Sequence, residues 1–224
     1  MNTTTKPQTP SPSGRRSQAT PPRRPLWLLG DVAILVVGAL FVVYLVSNGS
    51  TPSSTPGSPA AGAYKFAVGD PGPGAQAPAI VLPSTDGRTF DLGASAGKTV
   101  LLYFQEGVGC QPCWDQMADI EANWTQFRAA GIDEFVTITS DSLDLIKRKI
   151  DQDGIAGPVL ADTDLAVSKS YDGMMGDSRD GHTFIVVDAA GVITWRADYG
   201  GAPDYTMYVP VPALLADLAA GKDA

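Results

Sequence analysis

The sequence predicts an α/β protein: one mixed β-sheet with helices on both faces, preceded by a single transmembrane helix. Three observations carry this. Leu26 to Val46 is a run of 21 residues broken only by Asp31, which gives about 31 Å of helix, the thickness of a hydrocarbon core. From Thr99 onward, short apolar runs alternate with segments of helical periodicity, the mark of parallel crossovers. Near the C-terminus two strand-like runs flank Ala189-Ala190-Gly191, a hairpin signal that adds an antiparallel pair.

Residues 1–25 are rich in Pro, Ser, Thr and Arg, too poor in apolar side chains to offset the entropy of ordering, and are read as a disordered cytoplasmic N-terminus. Residues 26–46 form the transmembrane segment. Four arginines precede it and none follows closely, which places the N-terminus in the cytoplasm and the rest of the chain outside. Trp27 and Tyr44 stand at its two ends, where interfacial aromatics belong. Ser, Pro, Gly, Thr and Ala dominate the next stretch, and residues 47–69 are read as a flexible linker. Residues 70–224 are the folded domain. The first thirty positions hold five basic residues and no acid; setting them and Asp31 aside leaves 11 basic against 23 acidic residues, a net charge of −12. Such a domain is no partner for nucleic acid. Two cysteines and one histidine exclude a disulfide-rich scaffold and an all-protein zinc site.

Within the domain, APAIVLPSTDGRTFDL (77–92) places short apolar stretches around Asp86-Gly87 and reads as a small hairpin. Thr99 to Phe104 is a continuous apolar run, as in a central strand covered on both faces. Met117, Ile120, Trp124 and Phe127 recur at helical spacing, predicting one helix over about 111–130 that Gly131 ends. Phe135 to Thr139 is the next strand. Asp141 and Asp144 open a helix that Lys147, Arg148 and Lys149 close, in agreement with the helix dipole, and Gly154 terminates it. A short helix starts near Asp164. Thr183 to Val187 and Val192 to Trp195 are the hairpin strands, and Pro212 to Ala220 is a final helix with proline in its first turn.

Cys110-Gln111-Pro112-Cys113 falls where a buried strand turns into a helix. There the free N–H groups and the helix dipole stabilise a thiolate, so Cys110 is the expected nucleophile. Cys113, one turn later on the same side, can attack a mixed disulfide formed at Cys110. Gln111 and Pro112 make the turn between them, and Pro112 stiffens it without loss of a helical hydrogen bond. A structural disulfide of this spacing would close too small a loop to add much stability. A metal site would need ligands beyond His182. No glycine-rich phosphate loop follows a strand, so no organic cofactor is implied.

Four segments occur in an order that resembles the thioredoxin-like superfamily: APAIVLPSTDGRTFDLGASAGKTVLLYF, CQPC, ADTDLAVSKSYDG and HTFIVVDAAGVITW. The likeness is to the redoxin, or alkyl hydroperoxide reductase/thiol-specific antioxidant, group, including membrane-tethered TlpA/ResA-type oxidoreductases. It implies a thioredoxin-like fold, Cys110 as attacking and Cys113 as resolving thiol, and Thr183 at the start of the strand that faces the substrate. Its partners would be protein or small-molecule disulfides and thiols. The family's proline before that threonine is replaced by His182, Gly109 stands where many relatives have Trp, and the loop Gln105 to Gly109 is one residue longer. The buried acid of thioredoxin would fall near Tyr103, which leaves Glu106 as the nearby carboxylate. His182 is read as a group that tunes or deprotonates a thiol, the alternative being an exposed loop histidine.

The expected function is a membrane-anchored, extracytoplasmic thiol–disulfide oxidoreductase. One alternative is a thiol peroxidase, against which the peroxiredoxin pattern P-x-x-x-T-x-x-C fails: with Cys113 as its cysteine, the Thr and Pro positions hold Cys110 and Glu106. A second is a Sco-like copper module built from the two thiolates and His182.

Overall fold

Five successive apolar residues, Val100–Phe104, form β3 at the centre of a five-stranded sheet, and all five are buried. The computed structural model describes residues 60–201 and 204–222. A short hairpin of β1 (Val81–Pro83) and β2 (Thr89–Asp91) comes first. The sheet order is β5-β4-β3-β6-β7, with β4 (Glu134–Thr139) and β5 (Val159–Ala161) parallel to β3. On the other side β6 (Thr183–Val187) and β7 (Ile193–Asp198) run antiparallel. Register across the centre pairs Tyr103 with Phe184 and Phe104 with Thr183.

Alternation along β3 divides the core in two. Leu101 and Tyr103 face a layer made by α1 (Gln111–Ala122), α2 (Trp124–Ala129), α3 (Leu143–Asp153) and α5 (Val211–Lys222). Trp114, Met117, Ile120, Phe127, Ile146 and Leu214 fill it. Val100, Leu102 and Phe104 face the opposite layer, where Ile80, Leu82, Val167 and Tyr171 come from the β1–β2 region and α4 (Ala166–Ser170). A strand covered this way has no solvent face, which is why the run at 99–104 is apolar without alternation.

The single helix expected over 111–130 is two. Asn123 breaks it: its side-chain amide donates to the carbonyl of Asp119, and the backbone there leaves helical geometry. A short polar side chain competing for helix carbonyls has this effect. The helix expected near Asp164 begins at Ala166, after Leu165 in left-handed backbone (φ 60°), and the Asp162 carboxylate accepts the amides of Val167 and Ser168 in its first turn.

The folded part also begins before residue 70. Ala67 exchanges both backbone hydrogen bonds with Asp198, Phe66 packs edge-on against Tyr199, and the Gly62 amide donates to Asp217. These contacts cover the outer edge of β7, whose unpaired backbone would otherwise be open to another chain. The linker read over 47–69 therefore gives way to packed chain by Gly62. The expected disordered segment 1–25, the transmembrane segment 26–46 and the linker up to residue 59 lie outside the described residues. Among the described residues no helix is long and apolar enough to cross a membrane.

Candidate active site

Cys110 and Cys113 are joined by a disulfide, their Cα atoms 5.4 Å apart. Cys110 immediately precedes α1, and its carbonyl accepts the amides of Cys113 (3.0 Å) and Trp114 (3.4 Å). Pro112 lies in the first turn, where its missing N–H costs no hydrogen bond. Exposure separates the two sulfur residues: Cys110 is 6% accessible and Cys113 0%. Only the first can meet an external sulfur.

The loop before Cys110 is fastened at each step. Gln105 accepts the amide of Gly107, Asp141 accepts that of Val108 at 2.6 Å, and the Gly107 carbonyl accepts both the Cys110 amide and the Trp114 indole. Gly107 has φ +103°, and a Cβ there would lie 2.0 Å from the Asp141 carboxylate. Both conditions require glycine.

The side chain of Gln111 bonds to Asp115 and Asp153 and accepts from Lys149, which is itself paired with Asp153 at 2.8 Å. Gln111 thus ties the active-site turn to α3. Glu106 pairs with Arg179 at 3.6 Å, which links the same loop to the segment before β6.

His182 is fully buried, which corrects the exposed-loop alternative. It stands edge-on to Tyr103, Phe184 and Tyr199, and burial pushes its pKa down to about 3, so the imidazole is neutral. Its Nδ1 lies 2.9 Å from the Tyr103 hydroxyl, which in turn donates to the carbonyl of Cys113 at 3.3 Å. His182 therefore reaches the cysteine turn through Tyr103. Thr183 opens β6 as expected, yet its register with Phe104 places its side chain on the opposite face of the sheet. On the Tyr103 side β6 presents Phe184, and His182, immediately before the strand, reaches the same ring.

Sequence reasoning missed Tyr103, Asp141 and Asp180 as parts of this site. Tyr103 carries a usable signal, being the one polar-tipped residue in the strand VLLYF; a buried phenol needs a partner for its hydroxyl. In the sequence Asp141 signals only the opening of a helix. Asp180 is fully buried beside Asp162 and Ser168, and burial, with the Asp162 and Asp141 carboxylates adding, pushes its pKa up to about 7. Nothing in GDSRDGH distinguishes it from a loop acid. Among the described residues no cluster of three His, Cys, Asp or Glu side chains is arranged to hold a metal ion.

A mixed sheet carrying a Cys-x-x-Cys pair at the end of its central strand and the start of a helix defines a thioredoxin-like redox domain. The chain belongs to the AhpC/TSA family, which it matches over residues 73–196. It is 29% identical over 99 residues to the thiol-disulfide oxidoreductase ResA of Bacillus subtilis (strain 168), covering 44% of this chain and 55% of that protein. The ResA of Halalkalibacterium halodurans matches with the same identity and coverage. The chain thus spans about half the length of these curated relatives. Among solved structures, it is similar to peroxidoxin BcpB from Mycobacterium tuberculosis, with TM-score 0.56, 17% identity, 66% of this chain and 96% of that one. AhpC from Mycobacterium bovis gives TM-score 0.57 and 18% identity over 68% of this chain and 93% of that one. At these identities the structural likeness shows the fold alone.

Proposed function

We propose that this protein is a membrane-anchored thiol–disulfide oxidoreductase whose redox domain works outside the cytoplasm. The observation that carries the reading is the asymmetry of the pair: Cys110, at the N-terminal end of α1, keeps 6% of its surface exposed, and Cys113 has none. In the reduced form the Cys110 thiolate attacks one sulfur of a substrate disulfide, forming a mixed disulfide and expelling the other sulfur as a thiolate. Cys113, having lost its proton, then attacks Cys110 Sγ, expels the remaining substrate thiolate and closes the Cys110–Cys113 bond. Two electrons pass to the substrate. The similarity to ResA proteins supports the same chemistry.

Trapping tests it. Cys113→Ser should hold a covalent mixed disulfide with a substrate peptide, and Cys110→Ser should hold none; exchange retained by Cys110→Ser would refute the assignment. The anchor rests on the apolar run 26–46 between an arginine-rich segment and an uncharged one. Carbonate extraction should leave the full chain in the membrane fraction, and protease added outside should remove the domain; release into the soluble fraction would refute the anchor.

A further inference from the structure

Tyr103 closes the floor of the site. Its ring is stacked on Phe184 at 4.4 Å and faces Phe135 at 6.4 Å, and it has no exposed surface. Its hydroxyl makes the two hydrogen bonds already described, to His182 and to the Cys113 carbonyl. A proton count fixes their direction. The carbonyl can only accept, so the single phenolic proton goes to it, and the hydroxyl must then accept from Nδ1 of His182. The order is His182 Nδ1–H to Tyr103 O–H to Cys113 O=C. This leaves Nε2 of His182 without a proton, and that buried atom has no hydrogen-bond partner. A residue that merely filled this aromatic box would be apolar, because a buried polar atom left unpaired is costly.

We propose that Tyr103, oriented by His182, is a positioning residue that holds Cys113 for the second half of disulfide exchange. The inference rests on the oxidoreductase reading above. Cys113 is held from two sides, by its amide on the Cys110 carbonyl and by its carbonyl under the Tyr103 hydroxyl. When the disulfide opens, Cys113 remains in the first turn of α1, its carbonyl tied to β3 through the Tyr103 hydroxyl. A resolving thiol kept within reach of the mixed disulfide acts at high effective concentration, and small misplacements are expensive in rate. The neutrality of His182 supports the device, since the imidazole donates from Nδ1 unchanged throughout the neutral pH range.

The test is single-turnover reaction of the reduced full chain with the aromatic disulfide 5,5′-dithiobis(2-nitrobenzoate). Release of the first aryl thiol reports attack by Cys110, and release of the second reports resolution by Cys113. Tyr103→Phe, which keeps the stacked ring, should leave the first rate within about twofold and slow the second about tenfold or more. His182→Ala should do the same, and the double variant should be no slower than Tyr103→Phe alone, because the two residues act in one chain. His182→Asn restores an N–H near the Nδ1 position and should recover most of the second rate. If Tyr103→Phe does not fold, the His182→Ala and His182→Asn pair carries the test. Equal slowing of both releases, no slowing of either, or additive effects in the double variant would overturn the proposal. Those outcomes differ from failure of the oxidoreductase reading itself, in which the parent chain would release no second thiol or Cys110→Ser would still react.

Discussion

The Asp141 carboxylate accepts a 2.6 Å hydrogen bond from the Val108 amide, and so fastens the loop that carries Cys110 to the turn after β4. The same carboxylate lies where a Cβ on Gly107 would point. Sequence distance hides the relationship: 33 residues separate the two partners.

The first prediction concerns this fastening. Gly107→Ala combines a positive φ with a collision, and should destabilise the fold by about 2 kcal/mol or more. Asp141→Ala leaves the Val108 amide without its acceptor and should cost about 1–2 kcal/mol. Urea midpoints measure both. A Gly107→Ala variant as stable as the parent would mean that the loop is not held as described.

Asp180 and His182 should pull stability in opposite directions with pH. Burial raises the Asp180 carboxyl from 3.8 to about 7. Between those values the folded state keeps a proton that the unfolded chain has released, so this group makes stability fall as pH rises through the window. Burial lowers His182 from 6.5 to about 3. The unfolded chain then binds a proton that the folded state refuses, so this group makes stability fall as pH drops through its own window. Between about pH 4 and 6.5 the two slopes oppose each other. Asp180→Asn should remove one of them: the variant should gain stability relative to the parent as pH rises from 4 to 7, and its own stability should decline in acid. Parallel stability curves for parent and variant from pH 4 to 8 would contradict the Asp180 assignment, and a variant whose stability does not decline between pH 6.5 and 4 would contradict that of His182.

Arg196 is buried in β7 and donates to the carbonyls of Pro71, Tyr171 and Asp172, joining the N-terminal strap to the end of α4. Arg196→Met matches its length but leaves three carbonyls unpaired, and should cost about 3 kcal/mol. Arg196→Lys should recover little, because one ammonium cannot replace a planar fork. Thermal unfolding compares them. Full recovery by lysine would show that charge, not geometry, holds this junction.

The parts of the fold that one residue type or one period dictates were readable in the sequence. An unbroken apolar run marked β3, Gly154 ended α3 in a left-handed cap, and the cysteine spacing marked the strand-to-helix junction. What escaped depends on contacts between distant segments. The break at Asn123 needs its side chain to turn back on Asp119, and the packing of residues 62–67 needs the open edge of β7 and Asp217 on α5. The site divides in the same way. Cys110, Pro112 and Cys113 follow from local position, whereas the Tyr103–His182 pair exists only because β3 and β6 are neighbours with Tyr103 opposite Phe184. Thr183 shows the limit most directly: its position as a strand start is local, and the face it takes is decided by register with Phe104.

The most direct test of the central claim is to react the reduced full chain with a disulfide substrate and, separately, with stoichiometric hydrogen peroxide, alongside Cys110→Ser and Cys113→Ser. Disulfide exchange should yield the Cys110–Cys113 disulfide and be lost in Cys110→Ser, with peroxide oxidation no faster than that of an ordinary thiolate. Oxidation by peroxide many orders of magnitude faster than disulfide exchange would contradict that claim and make the protein a peroxidase, with the variant that loses that rate naming its peroxidatic cysteine.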